Sequence, residues 1–118
     1  DKDYNDALLF CFENLNKISL CLASHNEKST QLLVDLIEKN GIDKRHPHLS
    51  FCQLYGMSDN LTFNLAKSGF KVGKYVPFGP IKDVVPYLIR RAQENSSVNG
   101  EVGRELQLIQ KELRRRKN

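Results

Sequence analysis

What this chain of 118 residues lacks narrows its class before any motif is read. No apolar run approaches the ~18 residues that a membrane-spanning helix needs, so nothing in it is expected to cross a bilayer. No signal-peptide pattern opens it. The first ten residues, DKDYNDALLF, contain no methionine and already follow a helical pattern, so the chain reads as a piece of a longer protein. Cysteine is scarce and odd in number: Cys11, Cys21 and Cys52 have no C-x-x-C spacing. That argues for small buried thiols in a reducing compartment, and no metal site is read. Neither G-x-G-x-x-G nor a Walker sequence occurs, which excludes a Rossmann or P-loop nucleotide site. The net charge of +4 is a local excess that Arg114, Arg115, Arg116 and Lys117 alone supply, at a helix end where the dipole favours it. No aromatic side chains interleave with these bases, so nucleic acid is not an expected partner.

What is present is enough for one modest core, with 40% hydrophobic residues. Residues 3–16 place Ala7, Leu8, Cys11, Phe12 and Leu15 at helical spacing. Residues 18–23 form a short apolar run that suits a buried parallel strand. A polar stretch, 24–30, leads into a helix with Leu32, Leu33, Leu36 and Ile37 inward, stopped at Asn40-Gly41. Residues 49–54 read as the second strand. Ser58 or Asp59 caps a helix with Leu61, Phe63, Leu65 and Ala66 inward, closed at Ser68-Gly69. Residues 70–76 are the third strand. After it Pro80 suits the first position of a helix that residues 95–100 break. A last helix from about residue 101 carries Val102, Leu106, Ile109 and Leu113 as a stripe. The order αβαβαβαα, with one helix between successive strands, predicts right-handed crossovers and a parallel sheet. Periodicity alone leaves open whether that sheet is doubly wound or part of a barrel.

The most informative stretch is 75–95, YVPFGPIKDVVPYLIRRAQEN. On a helix Tyr87, Arg90, Arg91 and Glu94 share one side. Two adjacent guanidiniums offer a planar fork for a small carboxylate, and Tyr87 can cover its apolar part. The plainer alternative is a surface helix with an Arg90–Glu94 salt bridge. Ser24-His25-Asn26 follows the first strand, where hydroxyl, imidazole and helix-terminal amides suit an anion; a loop or helix-start role is the alternative. Gln53-Leu54-Tyr55-Gly56-Met57 ends the second strand and enters its outgoing loop, with Gly56 permitting a sharp turn.

These stretches, in this order and spacing, closely resemble the C-terminal part of the proline dehydrogenase catalytic domain, and the likeness covers essentially the whole chain. The resemblance implies that residues 1–118 are the last three βα units of a (β/α)8 TIM-type barrel plus a C-terminal amphipathic helix, incomplete alone. A whole barrel needs ~200–250 residues. It implies FAD-dependent oxidation of L-proline to Δ1-pyrroline-5-carboxylate, with electrons passed to a membrane quinone. Substrate contacts fall to Leu54, Tyr75, Tyr87, Arg90 and Arg91; cofactor contacts to Ser24, His25, Asn26, Gln53 and Glu94. No catalytic side chain is assigned, because family residues on earlier strands have no counterpart here, and the piece alone is expected to be inactive. Ser58 stands where many members have glycine, and Phe78 where a tyrosine is common. The expected location is a mitochondrion or the cytoplasmic face of a bacterial inner membrane, and the missing part of the barrel or self-association completes the sheet. The competing class is a non-catalytic α/β binding module that uses the Arg90/Arg91 helix or the basic tail.

Overall fold

Alternation along LSFCQL organises the sheet. In a strand, successive side chains face opposite sides, and Leu49, Phe51 and Gln53 are buried while Ser50, Cys52 and Leu54 are half-buried. A computed structural model describes residues 2–97 and 99–117, leaving out the side chains at 94–105 and 117. The elements are α1 (Lys2–Glu13), β1 (Leu20–Ala23), α2 (Glu27–Lys39), β2 (Leu49–Leu54), α3 (Asp59–Lys67), β3 (Val72–Tyr75), α4 (Ile81–Ser97) and α5 (Asn99–Lys117). Their order is the predicted one. The chain divides into two compact units, Asp1–Val76 and Pro77–Asn118.

In the first unit the three strands lie parallel in the order β1-β2-β3. Leu20 pairs with Leu49 and Leu22 with Phe51, while Phe51 pairs with Val72 and Leu54 with Tyr75. One face therefore carries Leu22, Leu49 and Phe51, which are buried with Leu8, Phe12, Leu33, Ile37 and Leu65 from the three helices. The other face carries Cys21, Ala23, Gly73 and Tyr75, all exposed, with Ser50, Cys52 and Leu54 half-buried. The sheet has one packed face and one open one.

Both ends of α2 follow the sequence, whereas Ser58 at the start of α3 makes no side-chain cap hydrogen bond. Asn26 caps α2, its Oδ1 accepting from the amides of Lys28 (2.9 Å) and Ser29 (3.2 Å). Beyond Lys39, Gly41 takes φ +61° and lets the chain reverse, with Ile42 N donating to Ile37 O at 3.0 Å.

Several expectations are corrected. The first strand begins at Leu20, because the turn after α1 still holds Ile18, whose amide donates to Asn14 O at 3.1 Å. β3 begins at Val72; Phe70 is a buried connection residue, edge-on to Phe51 at 5.5 Å. The cysteines are not buried: Cys21 is exposed, and Cys11 and Cys52 are half-buried. Strand parity puts Cys21 and Cys52 on the open face. In α3 the inward residues are Thr62 and Leu65, while Phe63 is 69% exposed. A polar residue enters there because Thr62 Oγ1 donates to the buried Gln53 Oε1 at 2.9 Å, which satisfies both groups. Ala7 and Ala66 are exposed as well.

The second unit is two helices. Pro80 precedes α4 instead of occupying its first position, since its carbonyl accepts from the amides of Asp83 (2.9 Å) and Val84 (3.1 Å). The expected break over 95–100 does not begin at Asn95, because α4 continues to Ser97. Pro86 lies inside it, where the ring removes one amide donor from the helical ladder. In α5, Leu106, Ile109 and Leu113 are exposed, and the side chain of Val102 lies outside the described residues.

Candidate active site

Parallel strands end at one edge of their sheet, so the segments leaving β1, β2 and β3 emerge together. The first is Ser24-His25-Asn26. Ser24 Oγ accepts from the Asn26 amide at 3.1 Å, and Asn26 Oδ1 is engaged in capping α2. His25, half-buried, is hydrogen-bonded through Nδ1 to Ser58 Oγ at 2.9 Å, which joins the first loop to the second. Asn60 Nδ2 adds a second link by donating to Glu27 Oε1 at 3.2 Å.

The second loop leaves β2 at Leu54. Gly56 has φ +77° and Ser58 φ +49°, so two left-handed residues turn the chain sharply into α3. Leu54 and Tyr75 are register partners and so neighbours on the open face. Gln53 faces the other way. It is 2% exposed, its Nε2 donates to Ser24 O at 3.4 Å, and its Oε1 accepts from Thr62. Its amide thus braces the first loop from the packed side.

Lys74 is the residue that motif reading misses. Its ammonium pairs with Asp59 Oδ1 at 2.7 Å and donates to the carbonyls of Leu54 (3.4 Å) and Met57. No spacing signals this, because it depends on the β2–β3 register.

In the second unit Tyr87 and Arg91 meet on α4, the guanidinium 5.5 Å from the ring centre, a cation–π distance. Arg91 and Tyr87 are half-buried and Arg90 is exposed. The Glu94 side chain lies outside the described residues, and with it the Arg90–Glu94 alternative. The structure brings Ser24, His25, Asn26, Gln53, Leu54 and Tyr75 to one end of the first unit, and Tyr87, Arg90 and Arg91 to one side of α4.

The family model described as "Proline dehydrogenase" matches residues 1–104, a span that contains every one of these positions. The chain belongs to the proline dehydrogenase family. "Proline dehydrogenase 1, mitochondrial" of Dictyostelium discoideum is 44% identical over 98% of this chain and 21% of its own length. "Proline dehydrogenase 2, mitochondrial" of Arabidopsis thaliana is 44% identical over 96% of this chain and 24% of its own length. "Hydroxyproline dehydrogenase" of Xenopus laevis is 43% identical over 88% of the chain and 22% of its own length. The chain therefore spans about a sixth to a quarter of the length of the curated proline dehydrogenases it matches. No solved structure matches it. For this family member the coarse expectation holds: an α/β chain with a parallel sheet. Among the described residues no helix is long and apolar enough to cross a membrane.

Proposed function

We propose that the complete protein oxidises L-proline to Δ1-pyrroline-5-carboxylate, and that residues 1–118 supply its carboxylate-binding helix and part of its flavin site. The observation that carries this is the family match over residues 1–104, which includes the tyrosine–arginine helix. In this reading the chain is the C-terminal part of a (β/α)8 barrel. The strand order, which follows the sequence, supports it, as do helices packed on one sheet face and an open second face.

Arg90 and Arg91 donate charge-assisted hydrogen bonds to the substrate carboxylate, while Tyr75, Tyr87 and Leu54 wall the pyrrolidine ring. The cation–π contact with Tyr87 keeps the Arg91 fork in one orientation before substrate arrives. With the carboxylate fixed, the ring carbon next to nitrogen is held in one pose and water is kept from it.

FAD fits the donor set at the first loop. Ser24 and His25 stand at the start of a 13-residue helix, where a hydroxyl and an imidazole suit a phosphate or ribose, the Lys28 and Ser29 amides being taken by the Asn26 cap. The Asn26 cap occupies Oδ1, and the buried Gln53 braces Ser24 from beneath. Glu94 is assigned to the ribose side. FAD held there would supply the two-electron acceptor for proline oxidation, with a membrane quinone as the onward acceptor. The relatives named mitochondrial support a mitochondrial location, and none of those named above is bacterial. This part alone is inactive, because the remaining walls of the site come from the rest of the protein.

The test replaces Arg90 or Arg91 with Met in the complete protein, which keeps the stem and removes the fork. A lost charged hydrogen bond of ~1.5–3 kcal/mol corresponds to a fall in kcat/KM of roughly tenfold to a hundredfold. The carboxylate is remote from the breaking C–H bond, so the loss falls mostly on KM. Hydroxyproline is assayed alongside. Unaltered KM in both variants would refute the assignment.

A further inference from the structure

We infer that Lys74 is a positioning residue, a cation clamp that sets the β2–α3 loop and through it both the Leu54 and the His25 contacts. The inference rests on the proposed function for its catalytic consequence, although the clamp itself is a feature of the first unit alone.

An ammonium has three donors. Those of Lys74 meet three oxygens of one loop: the Leu54 carbonyl at 3.4 Å, the Met57 carbonyl, and Asp59 Oδ1 at 2.7 Å. The side chain comes from the neighbouring strand, at the position paired with Gln53, and is only 19% exposed. The loop needs such a partner. Gly56 and Ser58 both hold positive φ, so the chain leaves the ladder after Leu54, and the carbonyls of Leu54 and Met57 both reach the Lys74 ammonium. Asp59 opens α3, where its carboxylate also complements the helix dipole. A neutral side chain at position 74 would leave two carbonyls and a carboxylate converging with no cation between them.

Two functional positions hang on that loop. Leu54 is its first residue, and Ser58 is bonded to His25. Lys74 itself lies on the packed parity of β3, opposite Tyr75, so it acts through the backbone it holds and not by touching substrate.

The experiment uses the complete protein and the variants Lys74→Met, Lys74→Arg and Asp59→Asn. Amide hydrogen exchange is measured on flavin-free protein, and steady-state kinetics with proline on the flavin-loaded form. Lys74→Met should speed exchange across 54–59 by about tenfold while the amides of Leu33 and Ile37 keep their rates. It should lower kcat/KM for proline by about tenfold or more, as misplaced contacts do, chiefly through KM. Lys74→Arg restores the charge without the compact three-way fit and should recover part of both losses. Asp59→Asn removes the formal charge that only the Asp59 oxygen carries, at an exposed site, and should give a smaller change in the same direction; with Lys74→Arg it carries the test if Lys74→Met does not fold. Exchange that rises equally in loop and core, or does not rise, overturns the clamp. Faster loop exchange with unchanged KM also overturns it as a positioning device. If the unaltered protein does not oxidise proline, the proposed function fails, and the exchange measurement still decides the clamp.

Discussion

Ser58 holds a backbone conformation at home in glycine, φ +49°, and a side chain there costs about 1–2 kcal/mol. Its hydroxyl gives some of that back by bonding His25 at 2.9 Å, a half-buried hydrogen bond worth about 0.5–1.5 kcal/mol. Ser58→Ala keeps the strain and loses the bond, so it should destabilise by ~1 kcal/mol. Ser58→Gly loses the bond and the strain together and should be close to neutral. Urea unfolding of both variants checks this; an alanine variant as stable as the unaltered protein would show that the His25 bond contributes nothing, and one as stable as the glycine variant that the left-handed backbone carries no strain. The same residue shows what was legible. Its place in a sharp turn after β2 could be read from the Gly56 that precedes it, whereas the contact with His25, 33 positions away, could not. Gln53 and Leu54 were read together as site residues, yet neighbours on a strand face opposite sides, and period-two reasoning already separates them.

At the scale of elements, β2 is legible to the residue because Leu49, Ser50, Phe51 and Cys52 alternate and the loop signal of Gly56 closes the run, although Gln53 and Leu54 reverse the alternation. Sequence reading extends β1 too far at its start and β3 at both ends. Apolar Ile18 and Phe70 are drawn in by burial, and burial acts on connections as well as on strands. The break expected over 95–100 failed at its beginning because Asn and Ser disfavour helix by only a few tenths of a kcal/mol to about 0.7 each. Helix α5 offers a test in pH. Hydrogen bonds from Arg115, both at 2.7 Å, and then from Arg116 at 2.9 Å hold the Glu112 carboxyl at about 2, below the ordinary 4.5. The Arg115 guanidinium is correspondingly raised. Because the folded value is the lower one, the stabilisation is complete above about 4.5 and is lost as pH falls through about 2. A carboxyl NMR titration should find Glu112 still charged at about pH 3, with the midpoint moving up in Arg115→Gln and in high salt. A midpoint near 4.5 in the unaltered chain would count against the two-arginine grip.

For the whole molecule, what remains unpaired matters most. In the first unit β1 and β3 each have one strand neighbour in the sheet, and the open face ends in Tyr75. In the second, Phe78 is 94% exposed. Residues 1–118 expressed alone should therefore self-associate, or bind the remainder of the protein when both are present. Light scattering across a dilution series is the measurement, and a dilution-resistant monomer with a cooperative melt would refute the expectation. The choice between barrel and doubly wound sheet was not legible from periodicity, since both begin with the same βα units. Evidence of which face stays open comes only from the three-dimensional packing of α1, α2 and α3.

The strand order β1-β2-β3 also bears on how the first unit assembles. Every strand pairs with the one next to it in the chain, so each pairing closes a loop about as long as one helix and its connections. Loop-closure entropy stays small at each step, and within these three strands none waits for a distant partner. Growth of the sheet can then keep pace with synthesis, each βα unit docking on the one before it, and β2 is the member whose absence would leave its two neighbours nothing to join.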